Sequence, residues 1–431
     1  MDEKTLQDYI DYYSSALSEI QTLYLEYCGD VDIYDRTFES RLAVNYQLNF
    51  PFRNLVVDQV CSFLAGKKIK YFLNEKNYTT KKLYKEHSAV LTDFIDRINT
   101  SVLDMSTLTM MACCGYGVRL VYIDSNGNEN IKNINPWECV WVQDEYGKDK
   151  FAIRYFKYTD LGKDTYYAEV YTDKTIEYFK KDDTGSFVKT NTVNHYFGII
   201  PLIKFRNNEL ESSDFELIRS ICDAINVVGS DMINELTEHR TALLKVTADI
   251  SAEDLLASKN DSAGAIIIPD KEGSVDWLIK QLPTEYLKQV WKILNEMVYV
   301  HSSSVNFSDE NFSGGYQSGE GRKWKVLQLL QRATAKGNYF REGCKKMFTA
   351  VCNTLNMRGI EIFSEEVEIE FTHNLPIDIE YYSQIFANLY NKLPYKTLLS
   401  FTPFVTDPSE IEDVAEQQKK EEAENTNKIE I

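Results

Sequence analysis

The sequence predicts an α+β fold, in which helices towards both ends of the chain flank a central, mostly antiparallel sheet. In residues 3–28, and again from residue 213 onwards, apolar side chains recur with a period near 3.6, which is typical of amphipathic helices. Between Tyr116 and Phe205 the pattern changes to short β-branched and aromatic runs separated by turn residues, which is typical of strands. Helical periodicity on either side of a strand-rich centre therefore predicts the α+β class.

The first part of the chain is predicted to be largely helical. One helix covers residues 3–28, and a second runs from Arg53 to Ala65 and is ended by Gly66 as a C-terminal cap. Lys68–Leu73 is predicted to be a short strand, and helices resume from about Lys81 to Ala112.

Six strands are predicted in the central region, because each is a short run rich in β-branched and aromatic residues. They are Gly117–Ile123, Trp137–Gln143, Phe151–Tyr158, Tyr166–Thr172, Ile176–Lys180 and Ile199–Phe205. Asn126-Gly127 and Asp183–Gly185 are typical of tight turns, so they predict hairpins.

A long helix is predicted from Ser213 to about His239. Ser213 and Glu216 have the spacing of a capping box, in which the hydroxyl accepts from the Glu216 amide and the carboxylate reaches back. The apolar residues of the helix share one face, and the width of that stripe is typical of a helix that packs against other helices. They are Ile218, Ile221, Cys222, Ile225, Val228, Met232, Ile233 and Leu236.

Residues 241–283 are predicted to form a compact α/β insert. Its strands are expected at Leu243–Val246 and Ala265–Ile268, with a short helix at Ala252–Ser258. A second amphipathic helix, Thr284 to His301, follows the insert. Two helices that flank a small insert are the main architectural feature of the sequence.

A polar, glycine-rich stretch, residues 302–320, leads into the longest predicted helix, Gly321 to about Arg358. At 1.5 Å per residue this helix would span roughly 55 Å. From Arg322 to its end it holds nine basic residues and one acidic residue, Glu342, although the whole chain carries a net charge of −19. Because the chain as a whole is acidic, this local excess of basic residues marks the helix as a candidate for contact with acidic groups.

The last predicted elements are a strand at Val367–Phe371 and helices near residues 378–391 and 394–401. From Asp407 onwards the chain holds nine acidic and three basic residues and shows no apolar periodicity. That tail is therefore predicted to be mobile.

The composition is that of a folded protein without a membrane span. Of the 431 residues, 43% are hydrophobic and 13% aromatic, which is enough for a large core. The amino terminus is polar and no apolar run reaches about 18 residues, so folding in a cytoplasm is expected. The net charge of −19 disfavours a conventional nucleic-acid reader with a basic face. It is compatible with a protein that surrounds DNA without gripping it.

The sequence lacks the residue patterns of common active sites, so we predict no enzyme activity, cofactor or metal. The five histidines have no ligand spacing. Gly314–Gly321 differs from a phosphate-binding loop, because Glu320 rather than Lys follows Gly319. The eight cysteines form no CxxC pair and are expected to be buried free thiols.

Four segments occur in a distinctive order and spacing. They are Asn49–Gly66, which ends in Leu-Ala-Gly; Gly115–Asp124 followed by Asn135–Glu138; His195–Asn208 followed by Ser213–Glu216, Asp223–Asn226 and Ser230-Asp231; and Ser318-Gly319 ahead of a long helix and Val367–Asn374. Together they resemble the portal, or head–tail connector, family of tailed bacteriophages, in particular siphophages of Gram-positive hosts.

The resemblance implies a ring of twelve copies at one vertex of the capsid, assembled in the host cytoplasm and retained in the virion. The ring would surround double-stranded DNA without sequence specificity. Its implied protein partners are the terminase large subunit, head–tail adaptors, and the major capsid and scaffolding proteins; no membrane partner is expected.

The resemblance also implies a division of the chain into the parts of a portal fold. These are an α/β wing (1–212, with a return strand in 360–375), two stem helices (213–240 and 284–301), a small α/β clip (241–283), a tunnel loop (302–320), a long helix (321–359), and a helical crown with the acidic tail (376–431).

Two groups of residues are candidate sites under this interpretation. Those for the DNA channel are Asn306, Ser308, Gln317, Arg322 and Lys323; those for packing between the stem helices of neighbouring subunits are Ile218, Ile225, Met232, Leu287, Trp291 and Leu294. For the basic long helix two hypotheses remain open: ion pairs with acidic residues of neighbouring subunits, or contact with the backbone of packaged DNA.

Two other functions also remain open from the sequence. One is a capsid-associated scaffold or interaction protein that forms no channel. The other is a nucleotide-dependent packaging enzyme. A ring with a central hole distinguishes a portal from the first, and ATP hydrolysis, which we do not expect, would indicate the second.

Overall fold

The structure is a computed structural model. It describes residues 1–37, 45–239, 243–247, 274–278, 284–307, 326–372, 379–390, 392 and 397–398. Helices and strands are mixed, which confirms the α+β class. By its internal contacts the chain divides into two units, Met1–Val305 with Leu329–Thr372, and Asn306–Gln328 with His373–Ile431.

The described elements follow the predicted order of helices, strands and helices. The helices are α1 (Glu3–Tyr27), α2 (Phe52–Ala65), α3 (Lys81–Arg97), α4 (Thr100–Cys114), α5 (Arg219–His239), α6 (Thr284–Ser302), α7 (Leu327–Met357) and α8 (Ile379–Leu389). The strands are β1 (Lys70–Leu73), β2 (Tyr116–Ile123), β3 (Glu129–Ile134), β4 (Cys139–Gln143), β5 (Asp149–Asp160), β6 (Lys163–Tyr171), β7 (Thr175–Lys181), β8 (Phe187–Asn194), β9 (Leu202–Arg206), β10 (Leu243–Thr247), β11 (Ser274–Leu278) and β12 (Val367–Glu370).

Helix α1 packs on the largest sheet. Asp2 caps it, because its carboxylate accepts a hydrogen bond from the Thr5 amide at 2.8 Å. Leu6 and Ile10, one turn apart, are buried in an apolar cluster with residues of the strands. The helix predicted at residues 3–28 is confirmed, and its apolar face contacts a sheet.

Helix α2 ends at Gly66 as predicted, but by another geometry. Gly66 keeps right-handed backbone angles, with φ −62°, and its amide donates to the Ser62 carbonyl at 2.9 Å. Helix α4 instead ends at a left-handed glycine, Gly115, with φ +84°. A Cβ atom at Gly115 would lie 1.8 Å from the Glu211 carbonyl oxygen, so only glycine fits there.

The central region forms two antiparallel sheets, so the prediction of a single sheet is wrong. Three strands are ordered β3-β2-β9, and five are ordered β4-β5-β6-β7-β8. The turns at Asn126-Gly127 and Asp183–Gly185 join β2 to β3 and β7 to β8, which confirms both hairpins. An apolar cluster that includes Tyr116, Trp141 and Tyr171 holds the two sheets together.

A separate strand pair joins distant parts of the chain. Strand β12, near the end of the first unit, pairs antiparallel with β1, from Lys70 opposite Glu370 to Leu73 opposite Val367. Both strands were expected from the sequence, and their pairing brings the end of this unit back to its amino-terminal half.

A buried ion pair fixes α4 against β2. The Arg119 guanidinium and the Asp104 carboxylate are 2.7 Å apart, and both side chains are almost fully buried. Tyr71 on β1 donates its hydroxyl hydrogen to the same carboxylate at 2.9 Å. Burial raises the pKa of Asp104, and the adjacent Arg119 opposes that rise. Loss of either partner would leave an uncompensated buried charge.

The insert is described in part. Strands β10 and β11 pair antiparallel, from Leu243 opposite Leu278 to Thr247 opposite Ser274. Strand β10 confirms the strand predicted at Leu243–Val246. The strand predicted at Ala265–Ile268 and the helix predicted at Ala252–Ser258 lie outside the described residues.

The carboxyl-terminal helices agree with the predictions where they are described. Helix α7 covers 31 residues of the predicted long helix, and residues 321–325 of that prediction lie outside the described ranges. Helix α8 confirms the helix near residues 378–391. Of the helix predicted at 394–401 the structure describes 397–398, and the tail from Asp407 lies outside the described residues.

Seven of the eight cysteines are buried free thiols, as expected, but Cys28 is exposed at the end of α1. The expectation is wrong there: Cys28 is the cap residue that follows the last turn of α1. The described helices include no segment that combines the length and the apolar character of a membrane span.

Candidate functional site

Helix α5 begins at a polar turn that also contacts α4. The Glu216 carboxylate accepts a hydrogen bond from the Ser213 amide at 3.1 Å, which is one half of the predicted capping box. The Ser213 hydroxyl instead donates to the Ala112 carbonyl at 3.0 Å. A 3₁₀ turn, Glu216–Ile218, then precedes α5. The capping box is therefore confirmed in part, because a tertiary contact takes the hydroxyl.

The inner face of α5 and of the turn before it belongs to the subunit's own core. Ile218, Cys222 and Ile225 are fully buried within the single chain. A side chain without exposed surface has none left to bury against a second subunit. The inter-subunit role predicted for Ile218 and Ile225 is therefore corrected: these two residues stabilise the chain that carries them.

A polar edge of α5 binds an extended segment along its length. The amides of Phe50 and Leu48 donate to Asn226 Oδ1 at 2.8 Å and to Ser230 Oγ at 2.9 Å. The Tyr46 amide donates to Asn234 Oδ1 at 2.8 Å. Four helical residues advance about 6 Å and two extended residues about 6.6 Å, so the two spacings match. Backbone amides of every second residue of the segment therefore bond to side chains of every fourth residue of α5.

Helix α6 packs beside α5 through half-buried side chains. The rings of Trp291 and Phe50 meet edge to face, with centroids 4.9 Å apart. A Cβ atom at Gly229 would lie 2.3 Å from the Phe50 ring, so this glycine permits the close approach. Leu287 and Leu294 are half-buried on α6. These predicted stem residues contribute to packing within the chain and keep some exposed surface.

A second apolar face stays exposed on these two helices in the described part of the chain. Its members on α6 are Tyr286, Ile293, Met297 and Val300, and on α5 they are Ile233 and Leu236, beside the half-buried Met232. The α6 residues recur at helical spacing, so they form one stripe, which we call the α6 stripe. An exposed stripe of this kind is typical of a surface that contacts another chain.

Arg53, on α2, connects that helix to α1 and α5. Its guanidinium is 2.9 Å from Glu26 and 2.8 Å from Asp223. Arg219, at the start of α5, pairs with the same Glu26 carboxylate. Because Arg53 and Glu26 are almost fully buried, the network fixes the position of α5 relative to the amino-terminal helices.

The first basic residues of α7 pair within the same chain. The Asp214 carboxylate is 2.9 Å from the Arg332 guanidinium and 2.8 Å from the Lys336 ammonium group. Burial alone would raise the pKa of Asp214, but Lys336 and Arg332 outweigh it, so its pKa lies below the usual range. The network ties the start of α7 to the residues before α5.

Further along α7, and just after its end, two more basic side chains have acidic partners in their own chain. Lys346 lies 3.2 Å from Glu342, and Arg358 lies 3.0 Å from the buried Glu129. For the buried Lys336 and the largely buried Arg332, which contact Asp214, the hypothesis of ion pairs with neighbouring subunits is wrong, and for the half-exposed Lys346 and Arg358 it stays a prediction. The predicted basic residues before Leu327 lie outside the described ranges.

The channel candidates are mostly outside the described residues. Asn306 lies just after the end of α6. Ser308, Gln317, Arg322 and Lys323 are not among the described residues, so their placement stays a prediction.

The histidines and acidic residues form no recognisable metal centre in the part of the chain that the structure describes. His195 contacts the Thr172 carbonyl at 3.0 Å through Nε2. His87 is buried beside the Tyr78 ring. Both contacts are those of structural residues.

Sequence reasoning missed the buried charges Arg53, Asp104, Arg119 and Asp214. The available signal was local: Arg119 stands alone among the apolar residues of β2. A single charged residue inside an apolar run is rarely fully buried without a partner, so it predicts one. The identity of that partner depends on the fold.

Comparison with known proteins gives three matches. The family model described as "Phage portal protein, SPP1 Gp6-like" matches residues 6–428. The portal protein of Bacillus phage SPP1 is 22% identical over 386 residues, which cover 85% of this chain and 75% of that protein. The portal protein of Clostridium phage phiCD119 is 24% identical over 272 residues, which cover 60% of this chain and 57% of that protein.

Proposed function

This chain belongs to the family of SPP1 Gp6-like phage portal proteins, and from that premise we propose that twelve copies close into a ring at one vertex of the capsid. The ring is the channel through which double-stranded DNA enters during packaging and leaves during ejection. It assembles in the host cytoplasm and stays in the virion. The protein acts by forming this passage and catalyses no reaction.

The α6 stripe is the observation that supports a ring most directly. It lies on the helix pair assigned to the stem, and it is exposed although the inner faces of α5 and α6 are packed. Exposed Tyr286, Ile293, Met297 and Val300 have apolar surface to bury against the next copy. A contact between two different faces of neighbouring copies repeats around an axis, and it closes into a ring when the rotation from one copy to the next divides a full turn.

The charge of the chain favours passage of DNA over binding. The net charge of −19 repels phosphate groups. The basic residues that the structure describes as paired on α7, together with Arg358 just after it, have Asp214, Glu342 and Glu129 as partners. A channel whose basic groups are already paired lets a duplex slide without reading its sequence.

The parts of the chain take the roles implied by the resemblance. Residues 1–212 with β12 form the wing, α5 and α6 the stem, and residues 241–283 the clip. Residues 302–320 form the tunnel loop that faces DNA, and residues 376–431 the crown. The partners are the terminase large subunit, head–tail adaptors, and the major capsid and scaffolding proteins.

A phage in which this gene is inactivated tests the function. It should assemble capsids that contain no DNA and carry no tail, and the wild-type gene supplied in trans should restore filled, tailed particles. Filled and tailed particles in the absence of the protein would contradict a portal and would favour a capsid-associated scaffold or interaction protein.

A further inference from the structure

A side chain from a distant helix holds the chain where it leaves α6. The Val305 amide donates to Gln59 Oε1 at 2.7 Å, and the Val305 carbonyl accepts from Gln59 Nε2 at 2.8 Å. One side-chain amide therefore satisfies both backbone groups of a single residue. Val305 is also the last residue of the first unit before the chain enters the second, at Asn306.

The turn held in this way contains a strained residue. The amides of Ser303 and Ser304 donate to the carbonyls of Val300, at 3.4 Å, and Tyr299, at 3.1 Å, the pattern of a Schellman motif. The left-handed position of this motif, usually glycine, is Ser303, with φ +53°.

Two buried hydroxyl groups further destabilise this turn. Within the described residues, the buried hydroxyls of Ser302 and Ser304 have no hydrogen-bond partner. A strained turn with unsatisfied polar groups keeps its shape when neighbouring residues fix it.

The returning chain is fixed to the same place. Arg332, shortly after the chain re-enters the first unit at Leu329, donates to the Ser302 carbonyl and pairs with Asp214 at 2.9 Å. The end of α6 and the start of α7 are thereby attached to each other and to the residues before α5.

We propose that Gln59 and Arg332 are positioning residues, which fix where the chain leaves the first unit after Val305 and where it returns at Leu329. This inference rests on the proposed function, in which the residues that follow Val305 face the DNA. Gln59 sets the direction of exit, because a bidentate amide contact fixes the orientation of the Val305 peptide groups as well as their position. An open passage then requires that the chain continue in the same direction after Val305 in every copy.

The variant Gln59→Met tests the contact, because methionine has a similar length and bonds to neither backbone group of Val305. Hydrogen–deuterium exchange of the purified full-length chain should show exchange at the Val305 amide about tenfold faster or more, with amides in the middle of α7 unchanged. In the phage, DNA packaged per particle should fall several-fold while rings and melting temperature stay normal. The control Ser62→Ala, at an exposed position on α2, should match the wild type in all these measurements.

Each outcome supports or overturns one part of the proposal. Unchanged exchange at Val305 would overturn the contact, and faster exchange with normal packaging would overturn the positioning role. A wild-type chain that forms no ring would refute the proposed function, while the exchange result would still be interpretable.

Should Gln59→Met fail to fold, Gln59→Glu keeps the acceptor for the Val305 amide and loses the donor to its carbonyl. This variant should show a smaller rise in exchange and the same packaging defect; wild-type packaging would overturn the positioning role.

Discussion

Replacement of Ile293 and Val300 by glutamine should weaken ring assembly and leave the subunit folded. The two side chains are 50% and 67% exposed in the single chain. Complete burial of such a side chain contributes about 1.5–3 kcal/mol, so covering the exposed fractions of both contributes about 2–3.5 kcal/mol per interface. Since about 1.4 kcal/mol is tenfold in affinity, the dissociation constant of each interface should rise about 30- to 300-fold.

Sedimentation velocity over a concentration series measures this effect. The variant should need a much higher protein concentration than the wild type to form rings, and its thermal unfolding as a monomer should be unchanged, because glutamine is a good helix former. Val102→Gln is the matched control, since Val102 is 66% exposed on α4 and lies outside the α6 stripe. Ring formation by the double variant at the wild-type concentration, or equal weakening by the control, would refute the reasoning.

Three further predictions concern stability. Asp214→Asn leaves the buried Lys336 and the largely buried Arg332 without their anion and should lower the free energy of unfolding at neutral pH by about 3–5 kcal/mol. Because the fold lowers the pKa of Asp214 from 3.8, its contribution is present above that pH and is lost as the pH falls through the folded pKa. Urea curves of variant and wild type should therefore converge in acid; a constant gap would contradict this. Gly343→Ala should destabilise by about 1–3 kcal/mol, because its Cβ would lie 2.4 Å from the Phe205 ring. Gly337→Ala in the same helix, with its nearest contact at 3.5 Å, should be neutral or stabilising by up to about 1 kcal/mol, and equal shifts in melting temperature would argue against both. Ser303→Gly should stabilise by about 0.5–1 kcal/mol in chemical denaturation, since glycine adopts φ +53° without strain; a loss would show that the turn is not strained.

The sequence predicted elements whose signals are local. Helices α1 and α6 were located to within a residue or two, because their amphipathic spacing lies in one short segment, whereas α5 ends at His239 as predicted but begins at Arg219 rather than Ser213. Strands β3 and β8 were not predicted. Only Phe187 of β8 is buried, so the strand lacks apolar alternation and is placed by its pairing with β7.

The candidate site was predicted less well than the fold, for a physical reason. An apolar stripe shows that a face is buried, but it does not show whether the covering surface comes from the same chain or from another. Ile225 and Ile293 both lie on apolar faces, yet Ile225 is buried in its own subunit and Ile293 is exposed. The charges of Arg332 and Lys336 were equally ambiguous, because their partner Asp214 lies far away in the sequence and is brought close by the fold.

The central claim is that copies of this chain associate side by side around an aperture. Electron microscopy of the purified full-length protein, imaged across a range of concentrations and salt conditions, measures this directly. We expect closed rings with a central hole wide enough for a DNA duplex. Particles that remain uniform monomers or dimers under every condition would contradict the claim.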